Sequence, residues 1–198
     1  MAVMNHTIIL DSSQAKIFNG VNKDRPFLSQ VCLRGEHLYA TDGHLLISIP
    51  CLGYKGPEIY FNKPSVMPTR KGVILITIKY TSIEVLECTC NLYQNGQPDP
   101  QNPSIDLSSQ MYDRFFYHES RRGDFPDVDV VFSGLDTNSK VGKGRFNMKL
   151  MKKITDVIGT DVMMQFTDEY GAVMVWNPKV QGNISPVRPS IIMPMRHE

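Results

Sequence analysis

The chain is poor in the residues that most often announce chemistry or compartment. Four cysteines occur among its 198 residues, at Cys32, Cys51, Cys88 and Cys90, and none stands in a C-x-x-C pair or beside an H-x-x-x-H. Cys88 and Cys90 lie two apart in an alternating pattern, which puts both side chains on one face of a strand. A metal site there would need further ligands at matching spacing, and the sequence supplies none, so the reading is reduced cysteines in a cytosolic protein with no metal and no cofactor. No stretch approaches the roughly 18 apolar residues that a membrane-spanning helix requires. The opening MAVMNHTIIL has neither the basic start nor the long apolar core of a secretory signal. Excess charge of one sign is also missing. Twenty-one Lys and Arg face 20 Asp and Glu, a net charge of +1, so total charge argues neither for nor against nucleic acid. What remains is an ordinary globular composition, 41% hydrophobic and 21% charged, long enough for one large domain or two small ones.

Charge distribution says more than charge sum. From Lys140 to Lys153 the chain carries six Lys or Arg and no acid, while acids gather at Asp124, Asp127 and Asp129. A neutral total with one basic stretch suits a protein that touches phosphate on one face. Hydrophobic periodicity then divides the chain into repeating units. The first runs from a short strand, His6 to Leu10, into a helix over SSQAKIFNGV with Ser12 or Ser13 as N-cap and Ala15, Ile17, Phe18 and Val21 as its apolar stripe. Strands follow at Gln30 to Leu33, Leu38 to Ala40 and His44 to Ile49, with a turn at Gly35. A second unit has strands in EIYFNKP, GVILITIKY and SIEVLECTC, and no clear helix, because Pro68 disfavours more than a turn or two. The third predicts a short strand at Arg145 to Met148, a helix over LMKKITDVIG with Leu150, Met151, Ile154 and Val157 on its apolar side, a hairpin of Asp161–Phe166 with Ala172–Trp176, and a last strand in SIIMPM.

Three short strings stand out. In YATDGHLL, Tyr39 to Leu46, the Asp42–His44 pair could be half of a catalytic or metal site. Thr-Asp-Gly-His is also a tight turn, with Asp42 capping amides and Gly43 at positive φ. No second acid–histidine cluster completes an active site, and a hydrolase or metal enzyme built on Asp42, His44 and His118 would lack a nucleophile with its base and orienting group. The second string, RGDFPDVDVVF, contains an RGD tripeptide, which without a secretion signal reads as a polar turn. Pro126 fixes its entry, and an extended connector follows. The third is PSIIMPMR, whose methionines make an adaptable apolar surface and whose Pro194 excludes a central strand position.

In order and in placement these strings resemble the bacterial DNA polymerase III β sliding clamp family. The family's ATDGH turn is matched by Ala40–His44, its G-x-F-P-D connector by Gly123–Asp127, and its VMPMR-like terminus by Ile192–Arg196. PTRKGV, Pro68 to Val73, is similar to the start of a helix in the family's second domain. The resemblance covers residues 6 to 197. It implies an α+β DNA-clamp fold of repeated strand-helix-strand units, with antiparallel sheets outside and helices lining an inner face. Applied to this chain, it gives a clamp-like domain at 1–122, a connector at 123–144 and a second, reduced clamp-like domain at 145–198. It implies no catalysis. The function would be that of a processivity factor that encircles duplex DNA and tethers a polymerase through a peptide-binding pocket, with a clamp loader as a further partner.

Carried over residue by residue, the resemblance places Tyr39, Thr41, Gly43, Leu45, Leu46, Pro126, Val130, Val131, Ile191 and Met193 around that pocket. Apolar walls of this kind suit a peptide with hydrophobic anchors. Family members carry basic residues where this chain has Leu45 and Val130, which points to a different peptide preference. Lys16, Lys23, Arg25, Lys149, Lys152 and Lys153 would face DNA through phosphate contacts that carry no sequence information and so permit sliding. Edge strands would pair between subunits to close a homo-oligomeric ring. The chain has fewer units than a bacterial clamp subunit, so the expectation is a reduced, phage-encoded type of clamp acting in the cytoplasm at the nucleoid. Its competitor is a monomeric clamp-like adaptor or inhibitor that holds replication proteins without encircling DNA.

Overall fold

Alternation of apolar and polar residues builds the first strand, β1 (Met4–Asp11), in which Ile8 and Leu10 turn inward while Asn5, Thr7 and Ile9 face out. Asp11 then redirects the chain, its carboxylate accepting from the backbone N–H groups of Ser13 and Gln14 at 2.7 and 2.8 Å. The computed structural model describes residues 2–22, 25, 28–95, 98, 102–112, 125–133, 147–167, 172–181 and 188–193, with backbone only at 180 and 181. The first helix is a 3-10 helix, Gln14–Asn19, not an α-helix, and Asp11 caps it while the Ser13 side chain does not. Its six residues end at Gly20, where a Cβ would come within 2.7 Å of Ile47. So short a run closes few i→i−4 bonds, and the tighter i→i−3 pattern competes.

The next strands form a meander. β2 (Gln30–Arg34), β3 (His37–Thr41) and β4 (Leu45–Pro50) reverse at Gly35 and Gly43, which adopt positive φ of 56° and 91° that side chains resist. β5 (Ile59–Asn62) pairs with the far edge of β2. β6 (Val73–Tyr80) and β7 (Val85–Tyr93) are a long hairpin, extended by the short β8 (Ile105–Asp106). Between β5 and β6 the PTRKGV stretch makes only a turn, closed by the Gly72 N–H on the Thr69 carbonyl, so the helix start suggested there does not form. One helical turn, α1 (Ser108–Met111), follows β8.

The segment after Phe125-Pro126 is helical, where the sequence suggested an extended connector. In α2 (Val128–Ser133) the Asp127 carboxylate accepts from the Asp129 N–H, and the Asp127 carbonyl accepts from Val131. That is the capping an Asp provides to a helix start. α3 (Met148–Ile158) begins the same way, the Asn147 side chain accepting from the Lys149 N–H at 2.9 Å. Its buried stripe is Met151, Ile154, Val157 and Ile158, and it ends at Gly159 at φ 93°. Met148, expected in a strand, opens this helix; Arg145 lies outside the described residues. β9 (Met163–Phe166), β10 (Val173–Trp176), the short α4 (Pro178–Gln181) and β11 (Ser190–Ile192) complete the chain.

Two antiparallel sheets result, in the orders β1-β6-β7-β8 and β5-β2-β3-β4-β11-β10-β9. The architecture is α+β, sheet-dominated with few helices. One core joins them: Ile8, Ile76, Ile47, Ile154 and Val175 belong to a single buried cluster, and the 3-10 helix packs on α3. β4 lies directly beside β11, with Leu46 opposite Ile191. Neither sheet nor core therefore breaks between residues 1–122 and 145–198. Among the described residues no helix is long and apolar enough to cross a membrane.

Candidate partner-binding groove

Strand parity decides what the seven-stranded sheet shows on each side. Leu45, Ile47 and Ile49 of β4 enter the main core, so Leu46 and Ser48 face the opposite way. Register extends that outer face. Tyr39 lies opposite Ser48, Cys32 opposite Tyr39, Tyr60 opposite Cys32, and Ile191 opposite Leu46. Phe125 and Val128 close over it, and with Ala172 they form a second apolar cluster, to which Val131, Phe132 and Met193 are half-buried neighbours. The Met193 N–H donates to the His44 carbonyl at 2.8 Å, tying the last described residue to the ATDGH turn.

Five of the expected pocket residues thus meet in one cluster: Tyr39, Leu46, Val131, Ile191 and Met193. Pro126 is half-buried in the covering segment. Thr41 is buried with its hydroxyl used inside the turn, donating to the Leu45 carbonyl at 2.6 Å and accepting from the Gly43 N–H. Gly43 contributes conformation, not a wall. Two placements need correction. Leu45 points into the main core, because neighbouring strand residues face opposite sides. Val130 is 65% exposed, because α2 turns it away from the Val128 side that is buried.

Asp42 does what the turn reading expects. One carboxylate oxygen accepts from the N–H groups of His44 and Leu45 at 3.0 and 3.1 Å, and the other receives Lys153 Nζ at 2.8 Å. His44 is exposed. His118 lies outside the described residues, and among those described no group of three or more His, Cys, Asp or Glu could hold a metal ion.

Sequence reasoning missed the polar frame of the groove. Arg188, just before β11, donates to the Tyr39 hydroxyl at 2.9 Å, pairs with Asp129 at 2.7 Å, and lies 5.4 Å from the Phe132 ring centre. At the other end Arg34 reaches Glu58 at 3.7 Å and Asp127 at 3.5 Å, and the Tyr60 hydroxyl bonds Glu58. Two cavities flank these arginines. One of about 640 Å³ is lined by residues that include Arg34, Glu58, Tyr60, Phe125 and Asp127. Another of about 340 Å³ is lined by Arg34, Gly35, Glu36, His37, Asp129 and Arg188. Burial and the Arg188 charge hold the His37 imidazole down at about 4, against the pull of Glu36. Burial pushes the Tyr39 hydroxyl up to about 12, with Arg188 opposing. The available signal for this frame was the spacing Val128, Val131, Phe132, which is helical. Nothing local marks Arg188, whose partners Phe132, Asp129 and Tyr39 all lie more than 50 residues away in sequence.

The positions expected to face DNA are spread over two helices. Lys16 is exposed on the 3-10 helix and Arg25 on the following loop, while Lys23 lies outside the described residues. On α3, Lys149 is exposed in the first turn. Lys152 pairs with Asp156 at 2.7 Å, and Lys153 with Asp42. Lys140, Lys143 and Arg145 of the basic stretch lie outside the described residues. No protein-family model matches the chain, and no curated protein matches it.

Proposed function

We propose that this chain is a reduced DNA sliding clamp, a non-catalytic processivity factor that encircles duplex DNA as a homo-oligomeric ring and tethers a polymerase through its outer groove. One observation carries the reading: three motifs far apart in sequence meet on one sheet face. They are the ATDGH turn with β4, the FPD segment with α2, and β11 with Met193. Aliphatic, aromatic and methionine walls beside charged rims have the chemistry of a groove for a short linear peptide with hydrophobic anchors. The 3-10 helix and α3, packed together on the core side of the sheets, support a clamp fold. Exposed Lys16 and Lys149 suit phosphate contacts without base readout.

A second reading has its own support. Lys152 and Lys153 each face a carboxylate, which lowers the positive charge that α3 can offer to DNA and favours a monomeric clamp-like adaptor or inhibitor. Mass in solution and retention on DNA separate the two. A clamp is expected to be oligomeric and to stay on closed circular DNA while running off the same DNA once linearised. A stable monomer retained on neither form, yet binding a clamp-motif peptide, would establish the adaptor. Failure of that peptide to bind would remove both.

A further inference from the structure

We infer that the ATDGH turn sets DNA contact and partner binding against each other, because Asp42 and a DNA phosphate compete for the same Lys153 ammonium. The inference rests on the DNA and groove readings proposed above and adds the regulation that links them. Two of the cations expected to face DNA converge on this turn. Lys153 of α3 donates to the Asp42 carboxylate at 2.8 Å, and a Cβ placed on Gly43 would meet the Arg25 guanidinium at 3.5 Å. The Asn22 side chain donates to the Asp42 carbonyl at 3.3 Å from the same loop as Arg25. From its other side the turn supports the groove. The His44 carbonyl accepts from the Met193 N–H at 2.8 Å, and Leu46 lies opposite Ile191 on the groove face. One tight turn therefore joins the helix side of the sheet to its groove side.

In the pair itself the Lys153 ammonium is accessible, whereas the Asp42 carboxylate is largely covered. A phosphate can thus take Lys153 from the solvent side. Asp42 is then left as a covered carboxylate without its cation, a costly state that a looser and more hydrated turn relieves. Loosening the turn slackens its hold on Leu46 and Met193, and the groove binds more weakly. The converse follows by linkage. A partner that fixes Leu46 and Met193 holds the turn closed, keeps Lys153 on Asp42 and lowers DNA affinity by the same factor. Partial exposure of the ion pair limits that factor to about threefold. Lys152 supplies the contrast on the same helix, since its partner Asp156 stands on α3 itself, four residues on, and competition there stays within the helix.

The test uses the full chain, a fluorescent clamp-motif peptide and a short blunt DNA duplex, each titrated with and without a saturating amount of the other. In low salt the duplex is expected to weaken the peptide about threefold and the peptide to weaken the duplex equally, with both effects fading as salt rises. Asp42→Asn should tighten the duplex and abolish the coupling, because Lys153 is then free from the start. Lys153→Met should abolish the coupling as well, and thermal melts confirm that each variant folds. Asp156→Asn should also tighten the duplex, by freeing Lys152, yet keep the full coupling. Absent or positive coupling with both ligands bound would overturn the inference alone. Coupling that persists in Asp42→Asn, or that disappears in Asp156→Asn, would overturn the route through the turn. If the duplex does not bind, the DNA reading falls, and if the peptide does not bind, the groove reading falls; the inference falls with either.

Discussion

Asp42 holds the ATDGH turn with one oxygen and α3 with the other, and these two jobs can be separated by mutation. Asp42→Ala removes the acceptor for the His44 and Leu45 amides and the partner of Lys153. Of the two amides, the Leu45 contact is part-buried and the His44 contact exposed. A part-buried bond to a carboxylate is worth about 1–1.5 kcal/mol, and water replaces much of the exposed one. The ion pair has a well-covered carboxylate, 13% exposed, but an ammonium 41% exposed, so solvent screening holds it to about 0.5–1 kcal/mol. The expected loss is about 2–3 kcal/mol for Asp42→Ala, read as a shift in urea midpoint at unchanged m-value. Asp42→Asn retains a neutral acceptor and should lose only about 1 kcal/mol. A double-mutant cycle of Asp42→Asn with Lys153→Met should return a coupling energy of about 0.5–1 kcal/mol that falls in high salt. If Asp42→Asn costs as much as Asp42→Ala, the turn is held by charge and not by its acceptor geometry. A coupling energy of zero would remove the link between α3 and the turn.

Four further expectations rest on separate features. His37 titrates at about 4 in the folded protein against about 6.5 unfolded, so between these values the unfolded state binds more protons. Its contribution is therefore complete above pH 6.5 and is lost as pH falls toward 4, by at most about 3 kcal/mol; urea melts at pH 7 and pH 4.5 should show a smaller pH dependence in His37→Gln. Replacing Gly43 by Ala meets nothing nearer than 3.5 Å, so its cost should be the backbone term alone, about 1–2 kcal/mol, with Asn less harmful. If DNA is bound, Lys149→Ala should lower the slope of log affinity against log salt by about 0.9, and Lys153→Met by clearly less, because Asp42 already compensates Lys153. All four thiols are buried and free, and burial lifts Cys51 to about 12, so a thiol reagent should react with the native protein only at the rate of its opening.

Strands were the legible part of this fold. GVILITIKY and SIEVLECTC alternate over enough residues that β6 and β7 could hardly lie otherwise, and Cys88 and Cys90 share the inward face as their spacing requires. The α3 stripe read equally well, since Met151, Ile154 and Val157 repeat at helical spacing. The 3-10 form of the first helix was not legible, because it depends on Asp11 reaching forward and on Gly20 lying against Ile47. For the groove, the motifs named segments that the fold brings together, but not the face on which each residue lies. Leu45 and Leu46 look alike in sequence, and only the register with Ile191 and Ile192 separates groove from core. Arg188 was invisible for the same reason, its role being fixed by what β11 lies beside.

The three residues of β11 sit between β4 and β10, so a keystone late in the chain completes a sheet begun near its start. During folding, the meander β2-β3-β4 can close from local contacts, but β4 then remains an open edge. Both faces of that edge are apolar, with Leu45, Ile47 and Ile49 on one side and Leu46 on the other. Closing it means bringing Ser48 and Ser190 together across 142 residues. Loop closure of that span is slow, and an unpaired apolar edge is a template for pairing between molecules. Whether the chain refolds or pairs between molecules should therefore depend on whether β11 or another copy's strand reaches β4 first, and dilution is expected to favour refolding.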